Sequence, residues 1–259
     1  MSELVGLEVA EGLATLTLSR PEAGNAMNWD FIAALDRATE TIAADAGVRA
    51  VLIAAQGRNF CVGGDIGAFA AQADPSAFIR RLADLLHKSV ARLAELPAPV
   101  VVAVQGAAAG AGLSLAAGGD IVLAANSASF TMAYTGIGLS SDGGATWVLP
   151  RLIGLRLTQE LAFTNRRLSA DEAQACGLVT RVVEAEDLLP QAHDLASRLA
   201  RGPTQAFAAV KRLLQSSGQA PLRTQLDAEA HAIGRAMASA DAKEGVAAFL
   251  ERRKPVFRG

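Results

Sequence analysis

PVVVAVQGAAAGAGLSLAAGGDIVLAA, residues 99–125, contains one charged residue, Asp120. Residues 96–119 carry no charge over a length that could cross a bilayer. Five glycines, Gln105, Pro97 and Pro99 argue against a span. The residues divide instead into a strand buried on both faces (VVVAVQG), a glycine turn (AAAGAG) and a buried helix (GLSLAAGG). IVLAANSASFTMAY then returns to strand.

The same order of events occurs upstream. VRAVLIAAQ, residues 48–56, is a second near-continuous apolar run, and GRNFCVGGD, residues 57–65, is the glycine turn after it. PSAFIRRLADLLHKSVARLAEL, residues 75–96, is helical by its apolar period and stops at Pro97. At the start, LVGLEVA and LATLTLS flank a turn at Glu11-Gly12 and predict a hairpin. SRPEAGNAMN is a loop by its Pro, Gly and Asn content, and Asn28 can cap a helix through FIAALDRATETIAAD. Strands alternating with helices predict an α/β layer fold with a largely parallel sheet. From about residue 156 the pattern becomes Ala-rich amphipathic helices with short connections and no evident partner sheet.

A chain of 259 residues can bury a substantial core, and half of this one is apolar although aromatics make up only 5%. With 24 basic against 26 acidic residues, no global field attracts nucleic acid, and no basic block forms a nucleic-acid-binding tail. Cys61 and Cys176 lack CxxC spacing, so neither a disulfide framework nor a structural zinc site is indicated. A cytoplasmic protein without a metal is expected. The N-terminus has Glu3 and no basic region before an apolar core, so it does not read as a secretory signal.

The two glycine turns, FCVGGD at 60–65 and QGAAAGAGLS at 105–114, each present backbone N–H groups with little side chain in the way. In the second, the donors at Gly110, Ala111 and Gly112 also open a helix, a place that favours an anion or a carbonyl that becomes one. Convergence of both turns on one oxygen would make an oxyanion hole, whereas close packing of helix on sheet explains either turn alone. YTGIGLSSDGGATW, residues 134–147, holds Asp142, the one formal charge between Asp120 and Arg151. That carboxylate either caps the helix of GGATWVL or stands alone to do chemistry. Asp65 reads as a turn or cap residue, Cys61 as a packed thiol, and His193 and His231 as helix-surface residues. Ser114 can bond its own helix or donate into a pocket, Tyr134 can meet an acyl group or fill the core, and His87 fits an ordinary half-buried helix position.

Taken together, SRPEAGNAMN, FCVGGDI, PVVVAVQGAAAGAGLSLAAGGDIVLAA, GIGLSSDGGATWVLPRLIG, NRRLSADEAQACGLVTRVV and FLERRKPVFRG resemble the crotonase superfamily of enoyl-CoA hydratases and isomerases. The resemblance implies an α/β, ClpP-like spiral of ββα units with a helical C-terminal trimerisation segment. Residues 1–195 would be the spiral core with the acyl-CoA site, and 196–259 the oligomerising helices. The implied substrate is an acyl-CoA thioester of fatty or aromatic acid breakdown, the assembly a homotrimer or dimer of trimers, and no separate cofactor is required. By position, the oxyanion donors fall on the N–H groups of Gly64 and Ala111. Ala26 would lie along the coenzyme, Val62, Asp65 and Ile66 would border the substrate, and Lys254 and Phe257 would contact coenzyme A bound to a neighbouring subunit.

The departures from that pattern bear on the reaction. Hydratases of the superfamily carry two glutamates at positions that here are Ser114 and Tyr134, so the paired acid and base of hydration are missing. Asp142 stands where certain isomerases have their catalytic aspartate, and DGGATWVLPR looks most like the ring 1,2-epoxyphenylacetyl-CoA isomerases. Proton shuttling by Asp142 is therefore the expected chemistry. Tyr134 and His87 also match the spacing of an aromatic and a histidine in the 4-chlorobenzoyl-CoA dehalogenases, where the carboxylate is a nucleophile and the aromatic is tryptophan. Dehalogenation, thioester hydrolysis, residual hydration, or a non-enzymatic acyl-CoA-binding or RNA-binding scaffold are the alternatives.

Overall fold

The computed structural model describes residues 4–259. β1 (Val5–Ala10) and β2 (Leu13–Leu18) form the antiparallel hairpin, turned at Glu11 and Gly12. α1 (Trp29–Ala44) starts where the Asn28 side chain accepts from the Phe31 N–H at 2.9 Å. β3 (Ala50–Ala55) pairs in parallel with β2, and α2 (Ile66–Ala70) and α3 (Pro75–Glu95) follow its glycine turn. The quoted stretch then supplies β4 (Val100–Val104), β5 (Ala107–Ala109), α4 (Ala111–Ala117) and β6 (Ile121–Ala125). β7 (Ser129–Thr131) precedes α5 (Ala145–Thr164), which is broken at Gly154, where φ is 76° and ψ 158°. β8 (Leu168–Ser169), α6 (Ala170–Ala175), β9 (Arg181–Val183) and α7 (Leu188–Ala200) complete the layered part. α8 (Thr204–Ser217), α9 (Leu222–Met237) and α10 (Ala240–Leu250) end the chain.

The main sheet runs β1-β2-β3-β4-β6-β9 and is parallel apart from the opening hairpin. β4 presents Val100, Val102 and Val104 to a core shared with α1 and α3, and Val101 and Ala103 to a second core beneath α7. Both faces are dry, so the strand shows no polar alternation, and each buried valine is worth about 1.5–3 kcal/mol over leaving it exposed. A second sheet, β5-β7-β8, is extended by the bridges Cys61↔Ala108 and Met27↔Gly64, which draw the turn after β3 onto the turn after β4.

The C-terminal helices, expected to pack onto the core or onto another subunit, divide in their surroundings. α7 does have a partner sheet: Leu188, Ala192, Leu195 and Ala196 are buried against Leu52, Val101 and Leu123. It crosses residue 195, so the helices that leave the sheet begin with α8. β8 and β9, of two and three residues, are too short to show a period in sequence. α9 and α10 keep large apolar side chains in the open, Ile233 at 74% and Phe249 at 82% exposure. No helix among the described residues is long and apolar enough to cross a membrane.

The chain end is clasped. Asp241 accepts from the N–H groups of Arg258 (2.8 Å) and Gly259 (3.0 Å), Glu244 accepts from Val256 N–H (2.9 Å), and Arg49 donates to the Phe257 carbonyl (3.3 Å). Arg253 beside Glu244, together with the Val256 N–H, holds that carboxyl down at about 2.

Two outcomes are expected. Replacing Gly112 by Ala puts a β-carbon 2.1 Å from the Cys61 carbonyl oxygen, so Gly112→Ala should lower stability in urea melts by about 1–3 kcal/mol or more. Because Glu244 ionises more readily when the tail is docked, docking gains from it above the ordinary value of 4.5 and loses that gain as pH falls toward about 2. The protection of the Val256 amide, its exchange rate relative to the intrinsic rate at the same pH, should therefore hold at pH 5 and above and fall below 4.5, whereas Glu244→Gln should already have lost it at pH 7.

Candidate active site

The glycine turns meet because their backbones are hydrogen-bonded to each other. Cys61 N–H donates to the Ala107 carbonyl at 3.1 Å, and Ala109 N–H donates to the Cys61 carbonyl at 2.9 Å. Met27 N–H donates to the Gly63 carbonyl at 2.8 Å, and Asp65 N–H to the Met27 carbonyl at 3.0 Å. This ladder sets Gly64 and Ala111 on the wall of one cavity of about 520 Å³. Among the described residues neither N–H finds an acceptor in the protein, so both are free to bind an oxygen from a ligand.

The rest of the wall is mainly apolar. α3 contributes Ile79, Leu82, Ala83 and Leu86, a helical face at spacings of three and four, and Met27, Ile32 and Phe69 close the far side. These residues were not singled out in the sequence. The period of α3 revealed an apolar face, but nothing local distinguishes a face toward a cavity from one toward a filled core. Val62, Ile66 and Tyr134 are also on the wall.

Asp142 is the one carboxylate among the lining residues. It does not cap α5: the cap position is Gly144, in a left-handed conformation, and no side chain caps that end. Its Oδ1 instead meets His87 Nε2 at 2.5 Å, with the two side chains 33% and 49% exposed. His87, an interior residue of α3, thus comes to Asp142 from 55 positions away in sequence. The main-chain carbonyl of Asp142 accepts from Ser114 Oγ (2.8 Å) and Tyr134 OH (3.1 Å). Burial pushes the Tyr134 phenol up to about 12, and Ser114 also lies 3.3 Å from the Gly110 carbonyl.

Other candidates fall outside the cavity wall. Ser114 is 2% exposed and does not reach it, which corrects the expectation of a substrate contact: one turn into α4 its hydroxyl is turned toward the Asp142 backbone. Asp65 is the cap of α2, accepting from Ala68 N–H at 3.1 Å, and pairs with Arg20 at 2.8 Å, whose hydrogen bond holds its carboxyl below the usual range. The same guanidinium donates to the Ala26 carbonyl at 2.8 Å, so Arg20 ties the loop of Ala26 to the first glycine turn. Phe257 lines a different cavity, of about 660 Å³ among α8, α9 and α10, and Lys254 is exposed beyond it. Cys61 is a packed thiol, as read: its Sγ is 3.1 Å from the Asn25 carbonyl and burial pushes it up to about 12. Among the described residues, no cluster of His, Cys, Asp and Glu could hold a metal ion.

Comparison with known proteins bears on this arrangement. The sequence matches the family described as enoyl-CoA hydratase/isomerase over residues 8–259. It is 41% identical to the 1,2-epoxyphenylacetyl-CoA isomerase of Escherichia coli, with 100% of both chains covered. It is also 41% identical to a probable enoyl-CoA hydratase of Rhodobacter capsulatus, over 97% of this chain and 96% of that one. A crystal structure of an enoyl-CoA hydratase from Polaromonas sp. JS666 superposes with a TM-score of 0.92 at 34% identity, covering 98% of this chain and 99% of its own. With the sequence and the fold matched from end to end, this chain belongs to the enoyl-CoA hydratase/isomerase family and has the crotonase fold.

Proposed function

We propose that this chain is an isomerase of enoyl-CoA-type thioesters in which Asp142 carries the proton. The observation that carries the reading is that, among the described residues, the only carboxylate on the cavity wall shares that wall with the free N–H groups of Gly64 and Ala111. In this mechanism the two N–H groups hold the thioester oxygen. The Asp142 carboxylate takes a proton from carbon, and the C–H electron pair moves into an enolate whose charge rests on that oxygen. The protonated carboxyl then returns the same proton to a different carbon, and the double bond is displaced. Ser114 and Tyr134, where hydration would require carboxylates, supply no second acid or base at neutral pH. The similarity to the Escherichia coli isomerase supports the same reading.

The contact between His87 and Asp142 favours one second reading. In a dehalogenase the carboxylate attacks a ring carbon and expels halide to leave an aryl ester, in a thioester hydrolase it attacks the acyl carbon and expels the thiolate to leave an anhydride, and in either case His87 draws a proton from the water that cleaves the intermediate. We further propose that the chain assembles as a homotrimer or a dimer of trimers through the open apolar faces of α9 and α10. Exposed large apolar side chains on both helices, Ile233 and Phe249 among them, support this. In such an assembly Lys254 and Phe257 would serve a neighbour's coenzyme.

Asp142→Asn should lower isomerisation of a 3-enoyl-CoA by about 10²–10⁴-fold while crotonyl-CoA hydration stays negligible in both forms. Full retention of isomerase activity in that variant sinks the assignment, and halide release from a 4-halobenzoyl-CoA that depends on His87 moves the second reading to first place. For the assembly, sedimentation should give three or six copies for wild type and smaller species for Phe249→Glu, and a wild-type monomer at micromolar concentration overturns it.

A further inference from the structure

We propose that Ser114 and Tyr134 are positioning residues: by donating to the main-chain carbonyl of Asp142 they fix the peptide from which its carboxylate hangs. The inference rests on the reading of Asp142 as proton carrier, and it assigns to Ser114 and Tyr134 a role toward the protein rather than toward the substrate.

Three side-chain and backbone groups form a closed triangle. Ser114 Oγ is 2.8 Å from the Asp142 carbonyl, Tyr134 OH is 3.1 Å from the same oxygen, and the two hydroxyls are 3.2 Å apart. Each hydroxyl has one proton, and a carbonyl has two lone pairs, so both donors can be satisfied on one acceptor. Burial keeps the Tyr134 phenol protonated well beyond neutral pH, and it therefore remains a donor. The next residue, Gly143, has φ of 63°, and a β-carbon there would sit 2.9 Å from the Ser114 β-carbon. The peptide after Asp142 is thus pressed onto Ser114 as well as hydrogen-bonded to it.

Ser114 also lies within 3.3 Å of the Gly110 carbonyl, and its own N–H donates to that carbonyl at 3.1 Å. Gly110 C=O and Ala111 N–H belong to one peptide unit. A single buried residue therefore touches the peptide that offers the oxyanion donor and the peptide that carries Asp142. That arrangement fixes the separation between the place where charge develops and the group that moves the proton. The segment before Asp142, Gly138 to Ser141, is largely exposed, so the clamp fixes the main chain at Asp142 while the His87 contact holds the carboxylate itself.

The test compares Tyr134→Phe, Ser114→Ala and the double variant with Asp142→Asn, using a 3-enoyl-CoA as probe. The single changes remove a hydroxyl and almost no volume, so folding should survive. Each single variant should lose about 10-fold in kcat and the double variant about 100-fold, the scale of a displacement near 1 Å. KM should stay within about 2-fold of wild type, because no substrate contact is removed. Independently of turnover, the His87 ring nitrogen resonances of the double variant should move toward those of Asp142→Asn. A raised KM with unchanged kcat would show that the hydroxyls bind substrate and would overturn the proposal. So would wild-type kcat in the double variant together with an inactive Asp142→Asn, an outcome that leaves the proton-carrier reading standing. An active Asp142→Asn instead overturns that reading, and the proposal with it.

Discussion

Gly112 approaches Cys61 so closely that a β-carbon on it would lie 2.1 Å from the carbonyl oxygen. Helix α4 can reach the segment after β3 only because that side chain is absent, and the hydrogen bonds of Cys61 with Ala107 and Ala109 then lock the register. Register decides function here. A slip of one residue along that ladder would point Gly64 or Ala111 away from the cavity. The small-residue composition of the whole chain has the same origin, since a spiral that folds strand turns onto one another leaves little room between backbones.

The layered fold was legible because its central strands, β3 and β4, are buried on both faces. VVVAVQG and VRAVLIAAQ contain no alternation to confuse with a half-exposed strand, and each ends in a glycine turn. What could not be read is any contact made between turns. The ladder between Cys61 and Ala108 involves a single bridge, and β8 and β9 are shorter than one period of any pattern. The seat of α7 was open for a related reason: its apolar stripe announces a buried face, against the core or another subunit, without naming the sheet beneath it.

The site shows the same division. The residues themselves mark two glycine turns where strands stop and one charge, Asp142, in a neutral run, whereas Gly64 and Ala111 are singled out as donors only by the family resemblance. The partner of Asp142 was a weaker signal. His87 sits on a helix whose other residues read as ordinary amphipathic packing, and only the fold brings Nε2 to 2.5 Å from the carboxylate. For Ser114 the sequence offered two roles, a bond within its helix and a donor into a pocket. In the structure its hydroxyl, with one proton to give, lies nearer the backbone carbonyl of Asp142, at 2.8 Å, than that of Gly110 in its own helix turn, at 3.3 Å.

Charge balance explains why neutral hydroxyls suit this cavity. Apart from Asp142, its one ionic lining group is Arg80, whose side chain is 82% exposed and turned to Asp84 at 3.6 Å. The remaining wall is apolar or hydroxyl-bearing and offers little to solvate additional charge. When a carboxylate takes a proton from carbon and the negative charge passes to a thioester oxygen, the cavity begins and ends with one negative charge. In the proposed isomerisation, fixed N–H dipoles at Gly64 and Ala111 would receive it. Carboxylates at Ser114 and Tyr134 would add two more charges beside a buried backbone carbonyl, where no cation stands to offset them. The hydroxyls hold the same loop with no net charge, which is the condition under which a lone aspartate can move a proton in so apolar a space.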